Sequence, residues 1–237
     1  MTQKSTFQAL KFILVLLIYS NETRLFIRSK RVVWSKKFLF LFLISLLLSF
    51  KGRIPSEKDI IFFVEEYCND FYPDHNVKEV LFISIKQQRI YLLRHGHLVT
   101  SYPVSTSKYG LGGLANSKKT PLGLHKIAKK IGKGVPLRGI IKGGVYIGKK
   151  ADLEHYPVTI EGDFVTTRLL WLSGLEPGKN SGVGKDSYKR RIYIHGTPEE
   201  GLIGTPSSHG CIRMTNHEIV ELFKLVNEGL NVLILNV

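Results

Sequence analysis

Cysteine is scarce in this sequence: Cys68 and Cys211 are the whole supply in 237 residues. Two thiols cannot staple a disulfide scaffold, so a buried core has to carry the fold. Acidic residues are scarce where basic ones are dense. Residues 1–53 hold ten Lys/Arg and a single acid, Glu22, a large part of the chain's net charge of +15. Neither a CxxC pair nor an HExxH motif is present, which removes the common zinc signatures. No fixed-period repeat and no low-complexity tract occurs, so a solenoid or a disordered chain is excluded as the organising principle.

What is present is a globular composition. Apolar residues make up 43% of the chain, with 22 Gly, 13 Phe and 10 Tyr, enough for one sizeable domain with extras. Within the basic first segment, 38–50 (FLFLFLISLLLSF) carries no charge and is bracketed by Lys36-Lys37 and by Lys51 and Arg53. Thirteen residues of helix cover about 20 Å of a hydrocarbon core of roughly 30 Å. That is short for a span and fits the apolar region of a signal peptide. The following SFKGRIPSEK lacks a small-x-small cleavage site, so an uncleaved membrane anchor is the other reading. More than thirty residues precede this leader. Either translation starts further in, near Val32 or Val33, or a second short membrane-associated run lies at 12–19. Both place the body of the chain in an export compartment. The basic residues flank an apolar run rather than alternate with stacking aromatics on a folded face, so nucleic-acid binding is not expected.

The chain thus divides into a basic N-terminal segment, 1–53, a linker, 54–77, and a body, 78–237. The linker reads as a short amphipathic helix and a polar turn, with Cys68 as a half-buried small residue. The body is mostly β. EVLFISIKQQRIYLLRHGHLVTSYP alternates, and its polar KQQ and RHGH act as turns. Short strands then recur between Gly- and Pro-rich turns. Thr215 and Glu218 predict a capping box, Met214 and Ile219 a staple, and Gly229 a C-terminal cap around a helix whose apolar face is Ile219, Leu222, Phe223 and Val226. NVLILNV closes the body as a buried strand.

The chemistry concentrates in IHGTPEEGLIGTPSSHGCIRM, residues 194–214. A thiol is nucleophilic as thiolate and needs a neighbouring base near neutral pH. His209 is two residues from Cys211 and badly aligned for that task in an extended loop. His195 ends the strand RRIYIHG and can be delivered rigidly against a facing loop. His195 is therefore read as the general base and His209 as an orienting residue. Gly210 frees the backbone to turn the Gly210 and Cys211 N–H groups toward an oxyanion, and Ser208 can bond locally across the turn. The rivals are an inert Cys in a Gly-rich turn and a zinc site built from His195, His209 and Cys211.

This stretch, an upstream His followed by Ser-His-Gly-Cys, resembles the signature of the L,D-transpeptidases with a YkuD-type catalytic domain. The likeness extends over VSTSKYGLGGLANSKKTPLGLHKI and TTRLLWLSGLEPG and covers roughly residues 78 to 237. Arg213 stands where some members carry Asn, as in the exported Gram-negative-type branch. The resemblance implies a mixed β-sandwich with a C-terminal helix and strand, no metal and no cofactor. It further implies attack by Cys211 on the bond between diaminopimelate and the terminal D-Ala of a peptidoglycan stem. His195 would move the proton, and the backbone carbonyl of Gly196, rather than a carboxylate, would be its partner. The acyl group would pass to an amine, giving a 3→3 crosslink or attachment of an acceptor lipoprotein, or to water, as in a carboxypeptidase. Arg213 and Ser208 would contact the substrate, with a structural ion pair as the equal reading of Arg213; His125 would stand behind the site. Such an enzyme works in the periplasm or cell envelope, held to the membrane through the N-terminal segment. Two further rivals are a sortase-like peptidase cutting ordinary L-peptides and a membrane-anchored wall-binding module that does no chemistry. A Cys68–Cys211 disulfide would silence the nucleophile.

Overall fold

A computed structural model describes residues 56–75 and 78–237. The basic segment 1–53, with its apolar run at 38–50 and the shorter run at 12–19, lies outside the described residues. Among the described residues no helix is long and apolar enough to cross a membrane.

The first element is a helix, α1 (Glu57–Phe71). Ser56 and Asp59 form a reciprocal capping box: Asp59 N–H donates to Ser56 Oγ at 3.3 Å, and Ser56 N–H to Asp59 Oδ2 at 3.0 Å. Ile60, Val64, Tyr67 and Cys68 recur at helical spacing and are buried. They pack on Val80, Phe82, Tyr91, Leu93, Leu124, Leu233 and Leu235. The stretch read as a linker is therefore the outer layer of the domain. A spacer would leave those sheet residues in water, and each such apolar side chain buried is worth roughly 1.5–3 kcal/mol.

A meander follows, β1 (Glu79–Ser84), β2 (Arg89–Arg94) and β3 (His97–Pro103), turning where the polar tetrads predicted. Then come β4 (Gly123–Ile131), β5 (Gly139–Lys142), β6 (Val145–Lys150), β7 (Val165–Gly174), β8 (Tyr193–Gly196), a 3-10 turn at Glu200–Leu202 and β9 (Ile212–Met214). Helix α2 (Asn216–Leu225) and strand β10 (Asn231–Leu235) complete the body. Hydrogen bonding links the strands in the order β3-β2-β1-β10-β4-β7-β5-β6, with β8 added to β7 and β9 to β8. The sheet is mixed, since β1–β10 and β8–β9 are parallel while the other pairs are antiparallel.

The two layers of the expected sandwich are parts of this one sheet. Its inner cluster takes Leu81 and Ile83 from β1, Leu170 and Leu172 from β7, Ile194 from β8, Ile212 from β9, and Ile219 and Leu222 from α2. A core reached from so many strands requires the sheet to curve around it, and register shifts in β2–β3, β4–β7 and β7–β8 supply the bends. Alternate residues of β1 face the other way, Val80 and Phe82 onto α1. Both faces are covered, which is why this strand is almost continuously apolar.

At α2 only half of the expected box forms. Thr215 Oγ1 accepts from Glu218 N–H at 3.3 Å, but its hydroxyl donates to the Glu218 carboxylate at 2.7 Å, so that carboxylate does not reach back to the Thr215 N–H. The helix also ends before Gly229, with Val226 as its cap. Lys130 of β4 explains this: its ammonium donates to the carbonyls of Phe223 and Val226 at 2.6 and 2.5 Å, satisfying the helix end from outside.

Candidate active site

Cys211 stands at the end of a Gly-rich loop, immediately before β9. Strand β9 lies parallel to β8 with His195 opposite Arg213, so the sheet brings the two halves of the motif side by side. The loop is held from both sides. Ser208 Oγ–H donates to the Cys211 carbonyl at 2.6 Å, and Thr120 Oγ1–H donates to the Gly210 carbonyl at 3.1 Å. Gly210 has φ +123°, and a Cβ there would lie 3.3 Å from the Lys119 carbonyl oxygen, so the position favours glycine twice over. Its N–H does not face an open site: it donates to Ser208 Oγ at 3.2 Å. The Gly210 donor expected for an oxyanion is thus engaged within the turn, and the Ser208 hydroxyl expected to meet substrate braces the same turn.

The Cys211 thiol keeps part of its surface open and donates weakly to the Arg191 carbonyl, Sγ to O 3.4 Å. Burial of the sulfur pushes the thiol up to about 12, and the Asp163 carboxylate adds to this; the Tyr193 N–H, Arg213 and Arg190 pull the other way. The resting group is therefore a thiol.

His195 is buried, at 1% exposure. Its Nδ1 lies 2.8 Å from the Gly196 carbonyl oxygen. A carbonyl only accepts, so Nδ1 carries the proton and Nε2 presents its lone pair. That Nε2 is buried and has no hydrogen-bond partner among the described residues. Burial holds the imidazole down to about 4, against the opposing pull of Asp163 and the Gly196 carbonyl. His195 and Cys211 thus respond to the same two charges, Asp163 and Arg213. His125 is the contrast: also buried and also held to about 4 by burial, it has both ring nitrogens engaged, by the Gly123 carbonyl and Ser187 Oγ, each at 3.0 Å. It ties β4 to the loop before β8 and offers no free nitrogen.

Arg213 is 2% exposed; two of its nitrogens face carboxylates, while Nε has no hydrogen-bond partner among the described residues. Nη2 meets Asp163 Oδ1 at 2.6 Å and Nη1 meets Glu199 Oε2 at 2.5 Å. Of the two readings of Arg213, the geometry is that of the structural ion pair. Asp163 also takes His209, Nδ1 to Oδ2 3.1 Å, which fixes the ring of the motif's second histidine. Burial alone would raise Asp163, but Arg213 with His195 and His209 outweighs it and holds the carboxyl below its usual value. Glu199 is 2% exposed, and its second oxygen accepts Ile160 N–H at 2.9 Å. Neither carboxylate carries a motif. Asp163 lies 48 residues before Cys211 in IEGDF, with no periodicity to mark it.

Both cysteines are free, and Cys68 is buried in the layer between α1 and the sheet. The disulfide considered from the cysteine count is not formed. Among the described residues, no group of three or more His, Cys, Asp or Glu side chains is placed to hold a metal ion.

Residues 78–234 match the model of the YkuD family, the L,D-transpeptidase catalytic domain. A curated Bacillus subtilis (strain 168) protein, YqjB, provisionally named an L,D-transpeptidase, is 38% identical over 103 residues, 38% of this chain and 58% of its own length. An L,D-transpeptidase from Mycobacterium smegmatis is similar in structure, with 15% identity, a TM-score of 0.42, and coverage of 67% of this chain and 58% of that one. L,D-transpeptidase 3 from Mycobacterium tuberculosis, solved with a faropenem-derived adduct, has 16% identity, a TM-score of 0.42, and coverage of 66% and 60%. The chain spans between half and two thirds of the length of these relatives. With a mostly β body and a family match running from the first strand into the last, this chain belongs to the YkuD family of L,D-transpeptidase catalytic domains.

Proposed function

We propose that the protein is a cysteine-dependent L,D-transpeptidase of peptidoglycan stems. The observation that carries this reading is the buried Nε2 of His195, without a hydrogen-bond partner among the described residues, on the strand paired with the one that Cys211 precedes. An orphan acceptor at that depth costs free energy, on the order of 1–3 kcal/mol. A transferable proton is the reason to keep it. As the sulfur adds to the carbonyl carbon between diaminopimelate and D-Ala, its proton passes to Nε2. The tetrahedral adduct then collapses, the imidazolium gives that proton to the departing amine, and D-Ala leaves with a thioester behind. The amine of an acceptor attacks the thioester, loses a proton through Nε2, and the thiol is restored. The Gly196 carbonyl stabilises the transient imidazolium through Nδ1–H, as a carboxylate does elsewhere.

The acceptor is an amine of a second stem or of a lipoprotein. With water as acceptor the same site is an L,D-carboxypeptidase. The basic, apolar leader supports work in the periplasm or cell envelope. The test is the full chain, wild type beside Cys211→Ala, incubated with purified disaccharide-tetrapeptide and read by mass spectrometry. A dimer weighing two monomers less one D-alanine, absent from the Cys211→Ala reaction, is the expected product. Tripeptide alone identifies the carboxypeptidase. Unchanged substrate with either protein leaves the wall-binding module as the function.

A further inference from the structure

Bordering the loop that carries Cys211, through His209, is a cavity of about 390 Å³. Four cations line it, Lys118, Lys185, Lys189 and Arg190, together with His209 and a single carboxylate, Asp186. The carboxylate is spent on the backbone, accepting Lys189 N–H at 3.0 Å to close a turn. None of the four cations is in an ion pair among the described residues. Two are held in place by neutral groups. Arg190 donates to the carbonyls of Gly112 and Lys119 at 3.1 and 2.6 Å, and Lys185 to the Gly178 carbonyl at 2.7 Å. Lys118 sits 5.6 Å from the centre of the Tyr109 ring, which also meets Lys108 at 5.5 Å and His209, with ring centroids 5.6 Å apart.

Scattered surface lysines mean little, but these converge on one concavity. Four cations facing a cavity repel one another, and a bound anion removes that cost. The location fixes what the anion belongs to. His209 is two residues from Cys211, Arg190 adjoins the Arg191 carbonyl that takes the thiol, and Arg190 and Cys211 feel each other's charge. The cavity is thus lined by close chain neighbours of the thiol and of the carbonyl that accepts from it.

We propose that this cavity binds the free carboxylates of the donor stem peptide, other than the one on the departing residue, and so selects acidic stems over stems whose carboxyl groups are amidated. The inference rests on the reading of the thiol as a transpeptidase nucleophile and adds the charge of its substrate. The site discriminates through k_on and KM, because the cations attract the ground state and the transition state alike.

Two measurements on the full chain separate this inference from the reading beneath it. Calorimetric binding compares a free-acid tetrapeptide stem with the same stem amidated, at low and high salt, for wild type and for Lys185→Gln/Lys189→Gln. The expected result is about tenfold tighter binding of the free acid, weakened by salt, with the preference largely lost in the double variant. Equal affinity for the two stems, or a preference that survives the double substitution, overturns the proposal. Release of D-Ala from the free-acid stem is followed in parallel. Selective binding without release keeps the anion site and removes the enzyme; release from both stems at equal kcat/KM keeps the enzyme and removes the anion site. A circular-dichroism melt of the double variant reports that it is folded.

Discussion

Asp163 illustrates how much one residue outside a motif can control. It raises Cys211, supports charge on His195, and holds both Arg213 and His209. Removing its charge therefore separates reactivity from turnover. Asp163→Asn lowers the thiol's pKa, so alkylation by iodoacetamide at pH 8 becomes several-fold faster than in wild type. D-Ala release falls, about tenfold or more, because the developing imidazolium loses a counter-charge and His209 its anchor. Cys68 does not confuse the alkylation, being buried and pushed by that burial up to about 11. Alkylation and release falling together would reduce Asp163 to a structural role. The contiguous motif made Cys211 and His195 legible in sequence, because one strand and one loop place them, while the Gly196 carbonyl came only with the family resemblance. Asp163 and Glu199 were not legible, since the pairing of Arg213 with a residue fifty positions away is a property of the folded loop and not of any local pattern.

Among the elements, α1 carries the sharpest expectation. Its periodicity showed which face is buried; nothing in the sequence said what covers that face, and so a layer of the domain read as a linker. Val64, at 1% exposure, sits in the middle of that face. Val64→Asp buries an unpaired carboxylate and destabilises the domain by about 3 kcal/mol or more, read from the midpoint of urea unfolding. An unchanged midpoint would mean that α1 is dispensable and that the linker reading was adequate. The β7–β8 pair offers a second test. A Cβ on Gly196 would stand 2.7 Å from the Thr166 carbonyl oxygen and 3.0 Å from Asn216 Oδ1. Gly196→Ala therefore pushes β8 off β7, lowering the melting temperature and displacing the carbonyl on which His195 Nδ1 rests.

For the whole molecule, two buried neutral histidines set an acid limit. His125 and His195 sit near 4 in the fold against an ordinary value of 6.5. Between those values the unfolded chain binds more protons than the folded one, so stability rises with pH there and is lost as pH falls from about 6.5 toward 4. At 1.36 kcal/mol per pKa unit, each histidine contributes about 3 kcal/mol to that loss. Unfolding in urea at pH 7 and pH 4.5 should show the drop, and His125→Gln should return about half of it. A drop of the same size in that variant would assign the acid sensitivity elsewhere. The order of strands has its own consequence, for timing. β10 follows every other described element in sequence yet lies between β1 and β4, near the middle of the strand order. Until residues 231–235 are available, the meander and the site-bearing strands have no common partner and the inner core has an open seam. A ribosome still holding those residues holds an unassembled site, which is completed in a single late step. A chain cut short before Asn231 lacks the strand that joins the two halves of the sheet.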